Sequence, residues 1–476
     1  MSETTSPRRW WALAVIAAAQ FMVIMDTSIV GVALPKMQSE LGFDPGNLSW
    51  VFNAYVVAFG GLLLLGGRLS DLLGARRVFA AGWGVLLVGS LVAGLATGVG
   101  AELAGRAVQG IGAALIAPSA LTLLMMLFGA NPRELTKAIA LYGAAAPAGG
   151  TAGVFLGGVI TEYLSWPWVF YLNVPIALAA LFATPALMPR AAARPGSVDV
   201  FGALTVTGGL AAGVYAIVRA PQVGWASAST LLIGALAVVL LGVFVFVQAK
   251  RREPLMRLGI FATPNLAAAN VAQFLLGAAW VPMWFFLNLY LQQVLGLSAF
   301  PSGAALLPMT TFIMLGMIVV APKLIAKVGP KNTLVGGMTV LTAGLVILSL
   351  LRPTGSFWLD VLPGSLVAAA GMSLAFIPSL GIALSSARPE EGGLASGIVN
   401  TSYQIGSALG LAAMTAVAAA NGADLLDDVV ALTDGYSAAL IGAAVIAAAG
   451  AVLAGVTLRT RKAPAEPGAE TVATGR

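Results

Sequence analysis

Two ionisable side chains lie inside long apolar stretches of this chain, where charged groups are rare. Asp26 is the one acidic residue of 19 that we expect well inside such a stretch, and Arg106 is the one basic residue of 25. A charge in an apolar setting is costly, so it persists where it has a partner or a function. The chain has no histidine and no cysteine, so a proton carrier has to be a carboxylate. We interpret Asp26 as a candidate proton carrier with Arg106 as its partner, and we expect no cofactor and no metal site.

The composition predicts a membrane protein rather than a soluble one. Hydrophobic residues make up 59% of the chain and charged residues 9%, with a mean hydropathy of +0.93, so there are too few charges to cover a soluble surface. We therefore expect the chain to be embedded in a lipid bilayer. The Lys and Arg residues are scattered over short loops, which argues against nucleic acid as a partner. No cleavage site follows the first apolar run, so we expect that run to stay in the mature protein.

Apolar runs of about 20 residues, separated by short polar or Gly/Pro segments, predict transmembrane helices. We place fourteen of them at 11–35, 48–66, 78–98, 102–128, 137–161, 167–187, 200–219, 229–248, 265–291, 303–322, 333–351, 359–386, 394–420 and 436–458. An even number of spans puts both termini on the same side of the membrane. With these spans, 21 of the 25 Lys and Arg residues fall on that side, which predicts a multi-pass protein of the cell membrane with both termini cytoplasmic.

The same spans bring the two charged residues to one depth. Asp26 lies 15 residues after Trp11, or about 22 Å into an apolar core of about 30 Å. The fourth span runs the opposite way, and Arg106 lies about 6 Å from its outer end at Glu102. We therefore predict that Asp26 and Arg106 meet in the outer half of the membrane. A permanently paired, structural salt bridge is the alternative that the residues leave open.

An internal repeat predicts how the spans are organised. The segment Gly67 to Arg77, GRLSDLLGARR, follows span 2, and Pro322 to Lys331, PKLIAKVGPK, follows span 10 as a second copy. A repeat eight spans apart predicts an all-α bundle of two six-helix halves with two inserted central helices, a plan typical of secondary transporters. We place the halves at 1–190 and 256–460, the inserted pair at 191–255, and a disordered cytoplasmic tail at 461–476.

Several stretches, in order, resemble those of a known family. They are MDTSIVGVALP at Met25 to Pro35, the loop pattern G-x-L-x-D-x-x-G-x-[RK]-[RK] at Gly67 to Arg77, and LAGRAVQGIGAAL at Leu103 to Leu115. From Ala18 to Val456 the chain resembles the major facilitator superfamily, specifically its fourteen-helix drug:proton antiporter family. The resemblance implies alternating access, a small-molecule substrate, and proton coupling through Asp26.

The resemblance also implies roles for two glycine-containing motifs. The loop after span 2 is implied to latch one conformation of the transport cycle, and a plain positive-inside loop is the alternative. Its motif residues are Gly67, Asp71, Gly74, Arg76 and Arg77. The antiporter pattern G-x-x-x-G-P-x-x-G-G of span 5 is met by Gly149, Gly153, Gly157 and Gly158. Val154 replaces its proline, which removes a kink determinant and bears on antiport more than on the fold.

Polar and aromatic residues inside the spans are candidates for the wall of a substrate cavity. Some of them share a helical face, as Gln273, Trp280 and Trp284 do. The full set is Asn53, Tyr55, Gln109, Tyr142, Gln273, Trp280, Trp284, Asn400 and Gln404. An aromatic, mildly polar cavity suits cationic or amphipathic compounds, because aromatic faces attract cations. The alternative is that the tryptophans lie at the membrane interface and the amides join helices.

These observations favour a monomeric, proton-driven exporter of small hydrophobic or cationic compounds such as antibiotics. A metabolite or sugar transporter of the same superfamily is the alternative within transport, because substrate choice depends on cavity residues that no motif marks. A membrane-embedded enzyme would need a cluster of ionisable residues, and the carboxylates here are spread singly. No G-x-x-x-x-G-K-[ST] motif occurs, which argues against an ATP-driven pump. We therefore predict a transporter without enzymatic activity.

Overall fold

A computed structural model describes residues 7–190, 197–263, 265–386 and 392–459; the predicted tail at 461–476 lies outside this part. The described chain is helical throughout, without strands, and fourteen helices are long and apolar enough to cross a membrane. They are α1 (Arg8–Leu41), α2 (Pro45–Leu73), α3 (Ala75–Gly94), α4 (Val99–Phe128), α5 (Lys137–Tyr163), α6 (Trp168–Leu187), α7 (Val200–Val223), α8 (Ala228–Lys250), α9 (Leu266–Val294), α10 (Ala299–Val328), α11 (Pro330–Leu348), α12 (Phe357–Ser386), α13 (Gly397–Ala420) and α14 (Val429–Thr457). The predicted all-α membrane bundle is confirmed.

Several helices extend beyond the predicted spans, because hydropathy marks the apolar core whereas capping groups set the ends. α1 continues to Leu41, six residues past its predicted end. α14 begins seven residues earlier than predicted. There the Asp428 side chain accepts hydrogen bonds from the backbone N–H groups of Val430 and Ala431 at 2.9 and 3.1 Å, and so caps the helix.

The packing of the first six helices returns in the last six. α1 packs along α5, α4 packs along both α2 and α3, and α6 packs on α3. Eight helices later, α9 packs along α13, α12 packs along both α10 and α11, and α14 packs on α11. These matching contacts identify the two six-helix halves that the loop repeat predicts.

Helices α7 and α8 stand outside this repeat. They pack on each other, and α7 also packs on α2 of the first half and on α13 of the second. The outer surface of α8 is apolar, with Leu232, Val238 and Phe246 among its exposed side chains. A bilayer would cover such a surface, so the inserted pair extends the bundle sideways from the junction of the halves.

Hydrogen bonds join the two halves at the face opposite the termini. From α9, Gln292 Nε2 donates to a backbone carbonyl of α1, and Gln293 Nε2 donates to Gln38 Oε1, both at 2.9 Å. The backbone N–H of Phe300, in the first turn of α10, donates to Glu162 at the end of α5 at 3.4 Å. In this structure the halves are therefore closed onto each other at that face.

Candidate functional site

A polar cluster is buried inside the first half, between α1, α3, α4 and α6. Asp26 of α1 and Arg106 of α4 form an ion pair through Asp26 Oδ2 and Arg106 Nη1, and they are 1% and 0% exposed. α1 and α4 cross the bundle in opposite directions, so residues far from the start of α1 and near the start of α4 reach the same level. The structure thus brings together the two charged residues that the sequence predicts to meet.

Three neutral side chains complete the cluster. Asn173 Nδ2 and Gln109 Nε2 donate to Asp26 Oδ1 at 2.8 and 3.1 Å. Gln109 Oε1 accepts from Arg106 Nη1 at 2.7 Å, and Ser90 Oγ accepts from the amides of Gln109 and Asn173 at 2.9 and 3.2 Å. The Asp26 carboxylate therefore accepts three hydrogen bonds, all from side chains that are themselves buried.

Backbone and aromatic groups hold the guanidinium of Arg106 in place. Its Nε donates to the carbonyl of Val51 at 2.9 Å. Its central carbon lies 4.6 Å from the ring centroid of Tyr55 and 5.9 Å from that of Phe170. Cation–π attraction is strongest where water is excluded, as it is here. Arg106 is therefore a fixed point on which α1, α2, α4 and α6 converge.

The charge balance of this cluster depends on both members of the ion pair. Asp26 and Arg106 together carry no net charge, and removing one member of a buried pair costs about 3–5 kcal/mol because the other stays uncompensated. The ion pair therefore ties α1 to α4.

The glycines of α5 set the position of the helix that carries Asp26. A Cβ atom at Gly149, Gly153 or Gly157 would lie within 2.3, 2.7 or 2.7 Å, respectively, of carbonyl oxygens of α1. Only glycine permits this approach of the two backbones. The adjacent Gly158 faces the other half, where a Cβ atom would lie 3.0 Å from the carbonyl of Ala299 in α10. The motif thus packs against α1 on one side and against the second half on the other.

A single glycine separates α2 from α3. Gly74 has φ 89° and ψ 130°, a conformation that favours glycine, and its carbonyl accepts hydrogen bonds from the first turn of α3. Gly329 joins α10 to α11 in the same way, with φ 84° and ψ 161°. The two copies of the repeated loop therefore share a backbone conformation as well as a sequence pattern.

The other residues of the loop motif make few contacts. Gly67 faces α4, where a Cβ atom would lie 3.7 Å from Pro118. Asp71 and Arg77 are exposed and Arg76 is partly exposed. Within the described ranges, Asp71 neither forms an ion pair nor accepts a hydrogen bond. The implied latch role of these five motif residues therefore stays a prediction.

Some predicted cavity residues lie where the two halves meet. A Cβ atom at Gly31 of α1 would lie 3.2 Å from Trp284 Nε1 of α9. One at Gly60 of α2 would lie 2.8 Å from Cβ of Gln404 in α13. Asn400 lies one helical turn before Gln404 on α13. These contacts put side chains of α9 and α13 at the junction of the halves.

Other predicted cavity residues are buried within the bundle. Gln273 Oε1 accepts a hydrogen bond from a serine of α12 at 2.8 Å, and Trp280 of the same helix is 9% exposed. Among the described residues, neither amide atom of the buried Asn53 has a hydrogen-bond partner. Tyr142 of α5 donates to Gln20 Oε1 of α1 at 2.9 Å, so it contributes to the α1–α5 packing.

Two of the predicted cavity residues take part in the polar cluster. Gln109 is hydrogen-bonded at both ends within the cluster, and the Tyr55 ring lies against Arg106. Two members of the cluster, Ser90 and Asn173, were not predicted from the sequence. Asn173 lies in the stretch SWPWVFYLNVP, near the start of an apolar helix. A polar amide in such a helix predicts a buried polar contact, so this residue could have been identified from the sequence. Ser90 carries no such signal, because serine is common in membrane helices as a helix-packing residue.

An acidic side chain of α4 is also buried, which the sequence did not predict. Glu102 is 0% exposed. It lies in the first turn of α4, which begins at Val99, three residues before the predicted start. Within the described chain no group of three carboxylates is placed to hold a metal ion.

Comparison with known proteins agrees with the fold and the motifs. A family model described as Major Facilitator Superfamily matches residues 16–411. The puromycin resistance protein pur8 of Streptomyces alboniger is 36% identical over 99% of this chain and 95% of its own length. The cephamycin export protein CmcT of Amycolatopsis lactamdurans is 37% identical over 93% of this chain and 91% of its own.

Two solved structures share the fold at low sequence identity. The POT family transporter PepTSo superimposes with a TM-score of 0.67 and 16% identity, over 95% of this chain and 99% of its own. The nucleoside transporter NupG superimposes with a TM-score of 0.65 and 14% identity, over 94% of this chain and 99% of its own. The family match and the related sequences show that this chain is a transporter rather than an enzyme, and that it belongs to the Major Facilitator Superfamily.

Proposed function

We propose that this chain exports small hydrophobic or cationic compounds, antibiotics among them, in exchange for protons. The observation that carries the proposal is the buried Asp26–Arg106 pair, a titratable carboxylate in the centre of a transporter half. The names of the two related proteins, which refer to puromycin resistance and cephamycin export, support antibiotics as the substrate class.

The proton acts on α1 through the hydrogen bonds of Asp26. A neutral carboxylic acid accepts more weakly than a carboxylate, so the donors Asn173 and Gln109 lose part of their attraction when Asp26 is protonated. Arg106 loses its ion pair with Asp26 at the same time. α1 is then held less firmly against α4 and α6, and deprotonation restores the connection.

A movement of α1 reaches the second half directly. Five residues after Asp26, Gly31 lies against Trp284 of α9, and two turns further Gln38 accepts a hydrogen bond from Gln293. These contacts lie at the face where the halves are closed. Weakening the Asp26 connection therefore favours separation of α1 from α9 at that face, which is the step that alternating access requires.

The junction of the halves supplies a suitable surface for substrate. Trp280 and Trp284 present aromatic rings along α9, and aromatic faces attract cationic groups. Gln273 offers a buried amide nitrogen without a hydrogen-bond partner among the described residues. An apolar, aromatic site with a few neutral polar groups selects for amphipathic compounds, and the proton site lies apart from it in the first half.

We further infer the setting of the protein in the cell. The excess of Lys and Arg on the side of the termini supports a cytoplasmic location for both termini and insertion in the cell membrane. Both halves of the substrate site come from one chain, which supports a monomer as the transporting unit. We propose the domain boundaries 1–190, 191–255 and 256–460, and a role for the Gly67 to Arg77 loop as a conformational latch.

A vesicle experiment tests proton antiport. Inverted membrane vesicles with an acidic lumen receive puromycin or the cationic dye ethidium, and a trapped indicator reports the luminal pH. We expect either compound to cause proton release from the lumen of vesicles that contain the wild type. Absence of proton release with both compounds, at verified membrane abundance, would overturn proton-driven export of this substrate class.

The Asp26→Asn variant tests the proton carrier, and Asp360→Asn is its matched control. Asp360 also pairs with an arginine, accepting from Arg352 Nε at 2.7 Å, but it lies at the start of α12 outside the cluster. We expect Asp26→Asn to abolish proton-coupled efflux while counterflow exchange of labelled puromycin continues, and Asp360→Asn to retain both. Proton-coupled efflux that survives Asp26→Asn at normal rate excludes Asp26 as the carrier.

A further inference from the structure

A second acidic side chain, Glu102, is buried beside the ion pair. It is 0% exposed, and neither of its carboxyl oxygens has a hydrogen-bond partner among the described residues. It precedes Arg106 by four residues on α4, about 6 Å along the axis on the same face of the helix. A buried carboxylate without a hydrogen-bond donor is strongly unfavourable, so this position suits the neutral acid.

Arg106 has a donor that matches this acceptor. Its Nε and Nη1 are engaged by Val51 and by the Asp26–Gln109 pair. Its Nη2 is buried and has no acceptor among the described residues. An unbonded donor and an unbonded acid thus lie one turn apart on one helical face. Side chains four residues apart on a helix are neighbours, so Glu102 and Arg106 are placed to interact.

We propose that Glu102 is a second proton-binding site, and that Arg106 pairs with Asp26 and with Glu102 in turn. The proposal rests on the proposed function, because it extends the proton site assigned to Asp26. When Asp26 is ionised, Glu102 holds the proton. Transfer of that proton breaks the O–H bond of Glu102 and forms one on Asp26, and the new Glu102 carboxylate binds the guanidinium. The three groups together remain neutral in both arrangements, so Arg106 is never left uncompensated.

The surroundings of Glu102 support this exchange. The charged groups that act on it are Arg106 of α4 and Asp26 of α1. α2 adds the phenol of Tyr55 against the guanidinium, and α3 and α6 contribute the neutral Ser90 and Asn173 to the cluster. No further ionised group competes for the proton within the described part of this cluster.

Glu102 is also the nearer of the two acids to the face opposite the termini. It lies in the first turn of α4, just after the loop at 95–98, in which Leu95 is 69% exposed. Asp26 is farther from that loop than Glu102 is, because it contacts Arg106 and Gln109, which follow Glu102 along α4. A proton that arrives from that face therefore meets Glu102 before it reaches Asp26.

Infrared spectroscopy of the purified protein tests the exchange without relying on transport. A buried neutral carboxylic acid has a C=O stretching band that a carboxylate lacks. We expect this band at neutral pH in the wild type and its loss in Glu102→Gln. The matched control is Glu40→Gln, because Glu40 is an exposed residue whose carboxylate accepts from Trp166 Nε1 at 2.7 Å, an interaction that glutamine can keep. This control should retain the band.

The decisive variant leaves Glu102 intact. In Asp26→Asn, Arg106 has lost its partner, so Glu102 should ionise to replace it and the band should disappear. The decrease in unfolding temperature of the double variant Asp26→Asn/Glu102→Gln should then exceed the sum of the decreases in the two single variants. A band that persists in Asp26→Asn, or that survives in Glu102→Gln, overturns the proposal.

Transport assays separate this proposal from the proposed function. If puromycin moves no protons through the wild type but the infrared pattern holds, proton antiport fails while the exchange of partners stands. If wild-type antiport is normal, we expect Glu102→Gln to slow proton-coupled efflux at least tenfold while puromycin counterflow continues. Normal proton-coupled efflux in Glu102→Gln overturns the assignment of Glu102 as a proton site.

Discussion

Replacing Gly153 by alanine is expected to displace α1 and, with it, Asp26. The added Cβ atom would lie 2.7 Å from the carbonyl oxygen of Met25 and 2.9 Å from Cβ of Ser28. Ordinary contact begins at 3.4 Å, so the two backbones have to separate by about 0.7 Å. A shift of that size along the bond from Asn173 to Asp26 would lengthen it from 2.8 Å to about 3.5 Å, beyond hydrogen-bond range.

The expected cost follows from the same geometry. Overpacking of a tight contact destabilises a protein by about 1–3 kcal/mol, which corresponds to roughly a 5- to 150-fold change in the folding equilibrium. We therefore expect Gly153→Ala to unfold at a lower temperature in detergent. We also expect it to lose much of its pH-driven puromycin efflux, although the chemical groups of the cluster are all present.

Gly150→Ala is the matched control on the same helix. There the added Cβ atom would lie 3.8 Å from its nearest neighbours, so no rearrangement is needed. Alanine is favoured over glycine in a helix by about 1 kcal/mol, so this variant should be as stable as the wild type or slightly more so. If Gly153→Ala and Gly150→Ala have the same unfolding temperature and the same efflux rate, the reasoning about the α1–α5 contact is refuted.

Two further variants test other parts of the fold. Gly74→Ala should lower the free energy of unfolding by about 1–3 kcal/mol, because the φ angle of Gly74 is positive. The control Gly84→Ala should not lower it, because a Cβ atom at this position of α3 would have no neighbour within 4 Å. Equal unfolding temperatures of the two variants would contradict this prediction. Hydrogen bonds from Ser197 hold the pKa of Glu253 below its usual range. Its stabilising contribution is therefore present at neutral pH and is lost as the pH falls through that lowered pKa. The unfolding temperatures of wild type and Glu253→Gln should differ at neutral pH and converge in acid, and a constant difference would contradict the assignment.

The two halves share their packing but not their chemistry. α9 and α12 correspond to α1 and α4, eight helices later. The first half contains the Asp26–Arg106 ion pair, and in the second half Ser379 of α12 donates a hydrogen bond to Gln273 of α9 at 2.8 Å. The amide and the hydroxyl of this second pair do not titrate near neutral pH. The fold supplies the symmetry of the bundle, and the side chains break it.

The sequence alone determined the features that depend on short stretches of chain. The fourteen spans followed from the length and hydropathy of each run, which are local properties. The meeting of Asp26 and Arg106 followed from counting the rise per residue along two spans of opposite direction. The break at Gly74 was marked by its glycine in a repeated loop, since few other residues accept its backbone conformation.

Only the tertiary structure decided which side chains touch. A helix rotates by about 100° per residue, so a small change in helix start or orientation decides which residues face a neighbour. For this reason the sequence did not show that Gln109 hydrogen-bonds to Asp26 and Arg106, or that Ser90 and Asn173 lie in the same cluster. For the same reason the burial of Glu102, in the first turn of α4, was not evident from the sequence.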